Sequence, residues 1–333
     1  MTWIVNDGAI FDHLPRHGNI SWAPSQLILS AILWVWSDQA QLTVAYHEAH
    51  QAVRGFFPRV ALQSYQGFIR ALVRWTEPLR PLLWARLHAL MEQVAGGYWR
   101  CGEYLALAVD GSRVTTPRTK SNERAFAAQN FGRGRKARSR RKWKNKKRRS
   151  KKLCIPVKPQ IWLTMIWHMG LKMPWCWKTG PSTASERGHF LDLLKNCAFP
   201  RKTLFCADAG FVGYELWKAI LDGGHDFLIR VGGNVTLLRK LGRVRVDRDL
   251  VYFWPKTAQE KKRPPLVLRL LSFSGPRGPV HLLTSVLDAR RLSLANAREL
   301  YRQRWGVELQ FRTLKQTFGR SKLRSRTADR ALV

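Results

Sequence analysis

Acidic residues are scarce in this chain. Its 333 residues include 22 Asp and Glu against 58 Lys and Arg, a formal net charge of +36. Solubility needs far less, so the excess points to a polyanionic partner, nucleic acid ahead of an anionic membrane surface. Paired cysteines are lacking too. Cys101, Cys154, Cys176, Cys197 and Cys206 form no Cys-x-x-Cys pair and no Cys/His cluster with zinc spacing. That argues against a disulfide scaffold or a zinc module and suits reduced intracellular thiols. Long apolar runs are absent as well. The longest, Leu27 to Trp36, is broken by Ser30 and is too short to span a bilayer. The N-terminus, Met-Thr-Trp-Ile-Val-Asn-Asp, has no basic n-region of a signal peptide. The expectation is a soluble cytoplasmic protein with no membrane partner.

What is present is a globular composition, 45% hydrophobic, in a chain long enough for more than one domain. Residues 1–97 read as an all-helical domain. Its segments are Ser25 to Ser37, entered through Pro24, then Ala40 to Gly55, Val60 to Thr76 and Leu82 to Val94. Pro58, Pro78, Pro81 and Gly96-Gly97 punctuate them. Arg70, Arg74, Arg80 and Arg86 give this region cationic surface. An ordinary helical bundle and a domain that recognises DNA ends both remain open on this pattern.

Residues 98–333 alternate strands with helices. Tyr104-Leu-Ala-Leu-Ala-Val-Asp110 reads as a buried strand ending in a carboxylate. Asp110 either caps the following turn or marks the rim of a sheet, where α/β folds place their sites. Pro159 to Met169 and Met173 to Lys178 read as two more strands around Gly170, and Ser185 to Asn196 as a helix. Thr203 to Ala207 is a further strand followed by Asp208, then a turn, the helix Tyr214 to Leu221 and the strand Asp226 to Val231. Short β-type runs within Val235 to Asp288 predict an inserted β-rich subdomain, spanning about 232–288.

Two stretches stand out. Gly132 to Lys152 holds 14 Lys or Arg among 21 residues and no acid, so it carries +14 of the +36 and leaves +22 on the rest. Such a run cannot bury a core and reads as a basic loop that binds nucleic acid non-specifically. Tyr301 to Lys315 reads as one helix. At about 100° per residue, Tyr301, Arg304, Glu308 and Lys315 fall within about 60° of one another, beside an apolar face of Leu300, Val307, Phe311, Leu314 and Phe318. On geometry alone this is equally a solvated Arg304/Glu308 pair worth a few tenths of a kcal/mol.

The spacing Tyr-x2-Arg-x3-Glu-x6-Lys resembles the signature of the insertion-sequence-four family of bacterial DDE transposases. Val-Asp110-Gly-Ser, Ala-Asp208-Ala-Gly-Phe-Val-Gly-Tyr and Arg304-Trp-Gly-Val-Glu308 match its three segments in order, 98 and 100 residues apart by their acids. The resemblance implies an α/β chain with a ribonuclease-H-like catalytic core, in which the first and fourth strands are neighbours. It also implies Asp110, Asp208 and Glu308 as the catalytic and metal-binding triad, holding two Mg²⁺ ions, with Mn²⁺ able to substitute. Tyr301, Arg304 and Lys315 would contact double-stranded DNA at the transposon ends. Arg320, Lys322 and Arg324 alternate in an extended segment and would add phosphate contacts. Trp254 would stack on a flipped base. The implied activity is metal-dependent cleavage of transposon ends and strand transfer into target DNA, by a homodimer assembled on DNA. The blunt end at Val333 raises a second expectation, a shortened DNA-binding product that inhibits full-length partners. A general RNA-binding protein would have no use for the triad.

Deleting Gly132 to Lys152 should weaken binding to all duplex sequences about equally and flatten the salt dependence, read by gel shift across salt. A loss confined to one sequence, with the salt slope unchanged, would show that the segment reads bases instead.

Overall fold

The computed structural model describes residues 22–57, 59, 62–127, 129–131, 154–156, 158–231, 238, 242–255, 264–275, 278–317, 319 and 323–332. Gly132 to Lys152, Phe318, Arg320 and Lys322 lie outside the described residues. The chain forms two compact units, Met1–Val94 with Asp329–Val333, and Ala95–Ala328.

The first unit is helical: α1 (Pro24–Trp36), α2 (Leu42–Arg54) and α3, which is assigned to Tyr65–Ala95. Pro24 opens α1 at its first position, where its missing N–H costs nothing. Two helices divided by Pro78 and Pro81 were expected, yet α3 runs through both. Each interior proline costs about 3 kcal/mol. The face of α3 at Phe68, Ile69, Leu72, Trp75 and Leu79 is buried in one apolar cluster with Leu27, Ile28 and Tyr46. That packing outweighs the local breakers.

The second unit is a mixed α/β layer structure around a nine-stranded sheet. Its strands are β1 (Leu105–Thr115), β4 (Gln160–His168), β5 (Met173–Pro181), β6 (Thr203–Ala207), β7 (Asp226–Val231), β8 (Gly242–Asp247), β9 (Leu250–Pro255), β10 (Leu266–Gly275) and β11 (Gly278–Thr284). A short helix α4 (Lys120–Phe126) and a small sheet of β2 (Gln129–Phe131) with β3 (Cys154–Pro156) come between β1 and β4. The large sheet runs β5-β4-β1-β6-β7-β11-β10-β9-β8. Strand β4 is antiparallel to β1 and to β5, whereas β6 is parallel to β1 and to β7. Helix α5 (Glu186–Asn196) links β5 to β6, and α6 (Tyr214–Asp222) is the crossover between the parallel pair β6 and β7. Ser185 caps α5 by accepting the Gly188 N–H at 3.0 Å.

The structure differs from the sequence reading in three places within this unit. First, β1 does not stop at Asp110. It continues to Thr115, paired with β4 as far as Thr115↔Gln160. Gly111-Ser112 looked like a turn, but the antiparallel ladder of β4 holds it extended. Second, the four strands after β7, expected as an inserted β-rich subdomain, do not make a sheet of their own among the described residues. They extend the same sheet through the antiparallel pair β7 and β11. Third, the expected single helix at Tyr301 to Lys315 is two, α7 (Leu294–Gln303) and α8 (Trp305–Gln316), meeting at Arg304. Val307 N–H there bonds back to the Arg304 carbonyl at 3.2 Å, a tighter three-residue turn.

The core lies on both sides of the sheet. Ala106 and Ala108 of β1 and Leu204 and Cys206 of β6 share a cluster with Leu300, Val307 and Phe311. Alternation sends the odd residues to the other face, where Phe205 packs edge-on to Phe190 of α5 with ring centroids 5.1 Å apart. Trp167 of β4 is 3% exposed and lies against Gly306, where an added Cβ would fall within 2.2 Å of its ring. Gly306 therefore sets how closely α8 approaches the sheet.

Gly306→Ala should cost about 1–3 kcal/mol through overpacking, more than the ~1 kcal/mol that Ala gains over Gly in a helix interior. Urea unfolding measures this. A variant as stable as the parent would mean that the ring moves aside freely.

Candidate active site

The site begins with backbone register. In the parallel pair of β1 and β6, Val109 lies opposite Ala207. Asp110 and Asp208 are the next residue on each chain, so they leave neighbouring strands about 4.8 Å apart. Both have even numbers, like Ala108 and Cys206, which face the α7 and α8 side. Ser112, two residues further along β1, faces the same way.

Helix α8 closes the site from above. Asp110, Ser112, Asp208, Glu308, Phe311, Arg312, Lys315 and Gln316 line one open cavity of about 480 Å³. Phe311, 4% exposed, belongs both to this lining and to the core beneath it. Lys315 Nζ donates to Ser112 Oγ at 2.5 Å, tying the far end of α8 to β1. Asp208 accepts the Gly210 N–H on Oδ1 at 2.8 Å, which fixes one oxygen and leaves the other.

The structure thus brings Asp110, Asp208, Glu308 and Lys315 together. It does not bring Tyr301 and Arg304 into the cavity lining. Arg304, expected on an exposed edge, is 6% exposed. Its Nη2 donates to Glu308 Oε1 at 2.7 Å, and its guanidinium carbon lies 5.4 Å from the centre of the Tyr301 ring. The half-buried Tyr301 ring packs against the core. The exposed Arg324 sits in a segment pinned to the end of β1 and to α4, where Leu323 N–H bonds Thr115 O at 2.8 Å and Asn122 Nδ2 bonds Ser325 O at 3.0 Å. Trp254 is half-buried, with its ring centroid 6.5 Å from that of Tyr252.

Electrostatics follow from the crowding. Burial, and then the Glu308 and Asp208 carboxylates, push Asp110 up to about 7, against the opposing pull of the Gly111 N–H and Arg304. Burial pulls Arg304 down, but Tyr301, Glu308 and Asp110 outweigh it and leave Arg304 raised and charged. The sequence reading missed Glu186. It comes to the same strand ends from the opposite face of the sheet, where a Cβ on Gly111 would fall 2.5 Å from its Oε1 and one on Gly210 would fall 3.7 Å from its Oε2. Burial, then Asp208, raises Glu186. Gly111 followed by an acid at the start of the next long helix was the available signal.

The donors suit a hard cation: carboxylates and a hydroxyl line the cavity, with no thiol or imidazole. Asp110, raised by burial first and by the neighbouring carboxylates second, is a group that a cation would ionise. As the side chains stand, no three His, Cys, Asp or Glu among the described residues are grouped as a metal cluster.

Comparison with known proteins adds the following. The family described as "Transposase DDE domain" matches residues 102–333. "Transposase InsG for insertion sequence element IS4" from Escherichia coli is 33% identical over 139 residues, which cover 39% of this chain. The match spans 31% of that relative's length. The cryo-EM structure of the piggyBac transposase synaptic complex with hairpin DNA aligns over 99% of this chain and 67% of its own, at a TM-score of 0.41 and 13% identity.

Proposed function

Because the chain belongs to the transposase DDE domain family and resembles its insertion-sequence-four members, we propose that it is a DNA transposase. In this reading it cleaves transposon-end DNA and joins it to target DNA, with Asp110, Asp208 and Glu308 as the catalytic carboxylates. The observation that carries the proposal is the meeting of these three acids from β1, β6 and α8 around one open cavity. The strand order β5-β4-β1-β6-β7, with β1 beside β6, supports a ribonuclease-H-like core for residues 98–333, preceded by a helical domain that helps recognise DNA ends. Double-stranded DNA is the substrate, the assembly on it is a homodimer, and the protein works in the bacterial cytoplasm. The net charge of +36 supports a DNA partner.

Two divalent cations, Mg²⁺ or Mn²⁺, would supply an activated water or 3′-hydroxyl and stabilise the departing oxygen when bound. Asp110, the free oxygen of Asp208 and Glu308 would hold them. Ser112 fixes the Lys315 ammonium at the cavity wall, where it offers a point charge to a phosphate oxygen. Phe311 gives the cavity a dry floor.

Asp208→Asn keeps an oxygen for the Gly210 N–H, so folding should be unaffected. Nicking of a supercoiled plasmid carrying the element's ends, in Mg²⁺ or Mn²⁺, should fall by on the order of 10³-fold or more. Nicking at the parent's rate would remove Asp208 from the chemistry.

A further inference from the structure

We infer that Glu186 is a positioning residue of the cation site: from outside the cavity its carboxylate braces the two glycines whose N–H groups serve Asp110 and Asp208, and its charge draws the cation in. The inference rests on the reading of Asp110 and Asp208 as carboxylates that hold a divalent ion.

Backbone register brings Glu186 there. Gly111 pairs with Thr164 across β1 and β4. Thr164 Oγ1 shares a hydrogen bond of 3.0 Å with His189 Nδ1 of α5. Glu186 stands one turn before His189 on the same side of the helix, and so comes over Gly111. Arg187, its neighbour, donates from Nη1 to Val212 O at 2.9 Å and ties the start of α5 to the turn after Asp208. The half-buried Glu186 carboxylate then spans the two strand ends. A Cβ on Gly111 would fall 2.5 Å from its Oε1, and one on Gly210 would fall 3.7 Å from its Oε2. Each oxygen thus faces one glycine.

Those two glycines act on the catalytic acids. The Gly210 N–H donates to Asp208 Oδ1 at 2.8 Å, and the Gly111 N–H favours the charged form of Asp110. Glu186 is not among the residues that line the cavity, so it acts on a bound cation through these neighbours and through its field. An acid in the first turn of a helix ordinarily answers the helix dipole. The dipole alone leaves such a carboxylate free to turn to solvent. Here it is folded down against Gly111, in a notch that a side chain at 111 would fill. The cation acting on it, Arg113, lies over the Trp162 ring, with its guanidinium carbon 4.5 Å from the ring centre, and makes no ion pair with it among the described residues. A negative charge held beside Asp208 without an ion pair is unfavourable until a cation arrives. Groups behind the metal ligands commonly change metal affinity tenfold or more.

The test measures Mn²⁺ binding to the full chain without DNA, by titration calorimetry, beside thermal unfolding and plasmid nicking across Mn²⁺ concentration. Glu186→Gln keeps the shape and removes the charge. Its Mn²⁺ dissociation constant should rise about tenfold, while its melting temperature stays within about 2 °C of the parent's. Its nicking should recover when Mn²⁺ is raised in proportion. Gly111→Ala keeps the charge and pushes the carboxylate out of its notch. It should weaken Mn²⁺ binding as well, yet the double variant Gly111→Ala/Glu186→Ala should bind no more weakly than Glu186→Ala, because the two positions act as a unit. A helix-end acid with no part in the site would instead lower the melting temperature of Glu186→Gln and leave Mn²⁺ binding as in the parent, which overturns the inference. Fully additive losses in the double variant overturn the bracing. Asp208→Asn is the control for the underlying reading. Weakened Mn²⁺ binding there, with parent-like binding in Glu186→Gln, strikes the inference alone. Parent-like Mn²⁺ binding in Asp208→Asn strikes that reading, and the inference with it.

Discussion

Everything at this site depends on one stretch of parallel pairing. Leu105↔Thr203 through Val109↔Ala207 brings two strands nearly a hundred residues apart in sequence into a single register. A slip of one residue would turn Asp110 or Asp208 to the opposite face. The register is held because Leu105 to Val109 and Thr203 to Ala207 are buried on both faces of the sheet. A slip that drew Asp110 or Asp208 inward along its strand would bury a carboxylate in that core, at a cost of several kcal/mol.

Two glycines set the remaining dimensions. Gly306 lets α8 settle onto Trp167, and so fixes how far Glu308 stands from the strand ends. Gly111 leaves room on the other face for Glu186. The acidic cluster thus has a lower neighbour on each side of the sheet: Arg304 on the α8 face, offsetting charge, and Glu186 on the α5 face, adding to it. Burial and like charge together account for the raised Asp110. A site in that state has a stored preference for cations of high charge and hard oxygen chemistry.

Much of this was legible in the chain before any coordinates. The strands at Tyr104 to Asp110, Thr203 to Ala207 and Asp226 to Val231 are short apolar runs bounded by charge or glycine, too short and too sharply ended for helices. What eluded the sequence was set by tertiary partners. Asp110 looked like a strand end because Gly-Ser follows it, and only β4 on the far side extends β1 to Thr115. Pro78 and Pro81 looked like helix breaks, and the buried face of α3 overrode them. The helical wheel placed Arg304 on the same edge as Glu308. Arg304 does keep Glu308 as its neighbour four residues on, but a wheel shows only direction, and the packing around Arg304 leaves it 6% exposed. Glu186 carries no spacing rule linking it to the other acids, since it reaches them across the sheet.

The central claim is that the β1–β6 register builds a divalent-cation site. The most direct measurement is anomalous diffraction from crystals of the chain soaked in Mn²⁺ at concentrations that support plasmid nicking. The account predicts a manganese peak bonded to carboxylate oxygens of both Asp110 and Asp208, and loss of that peak in Asp208→Asn. Manganese bound elsewhere, with none between those two side chains, would contradict it.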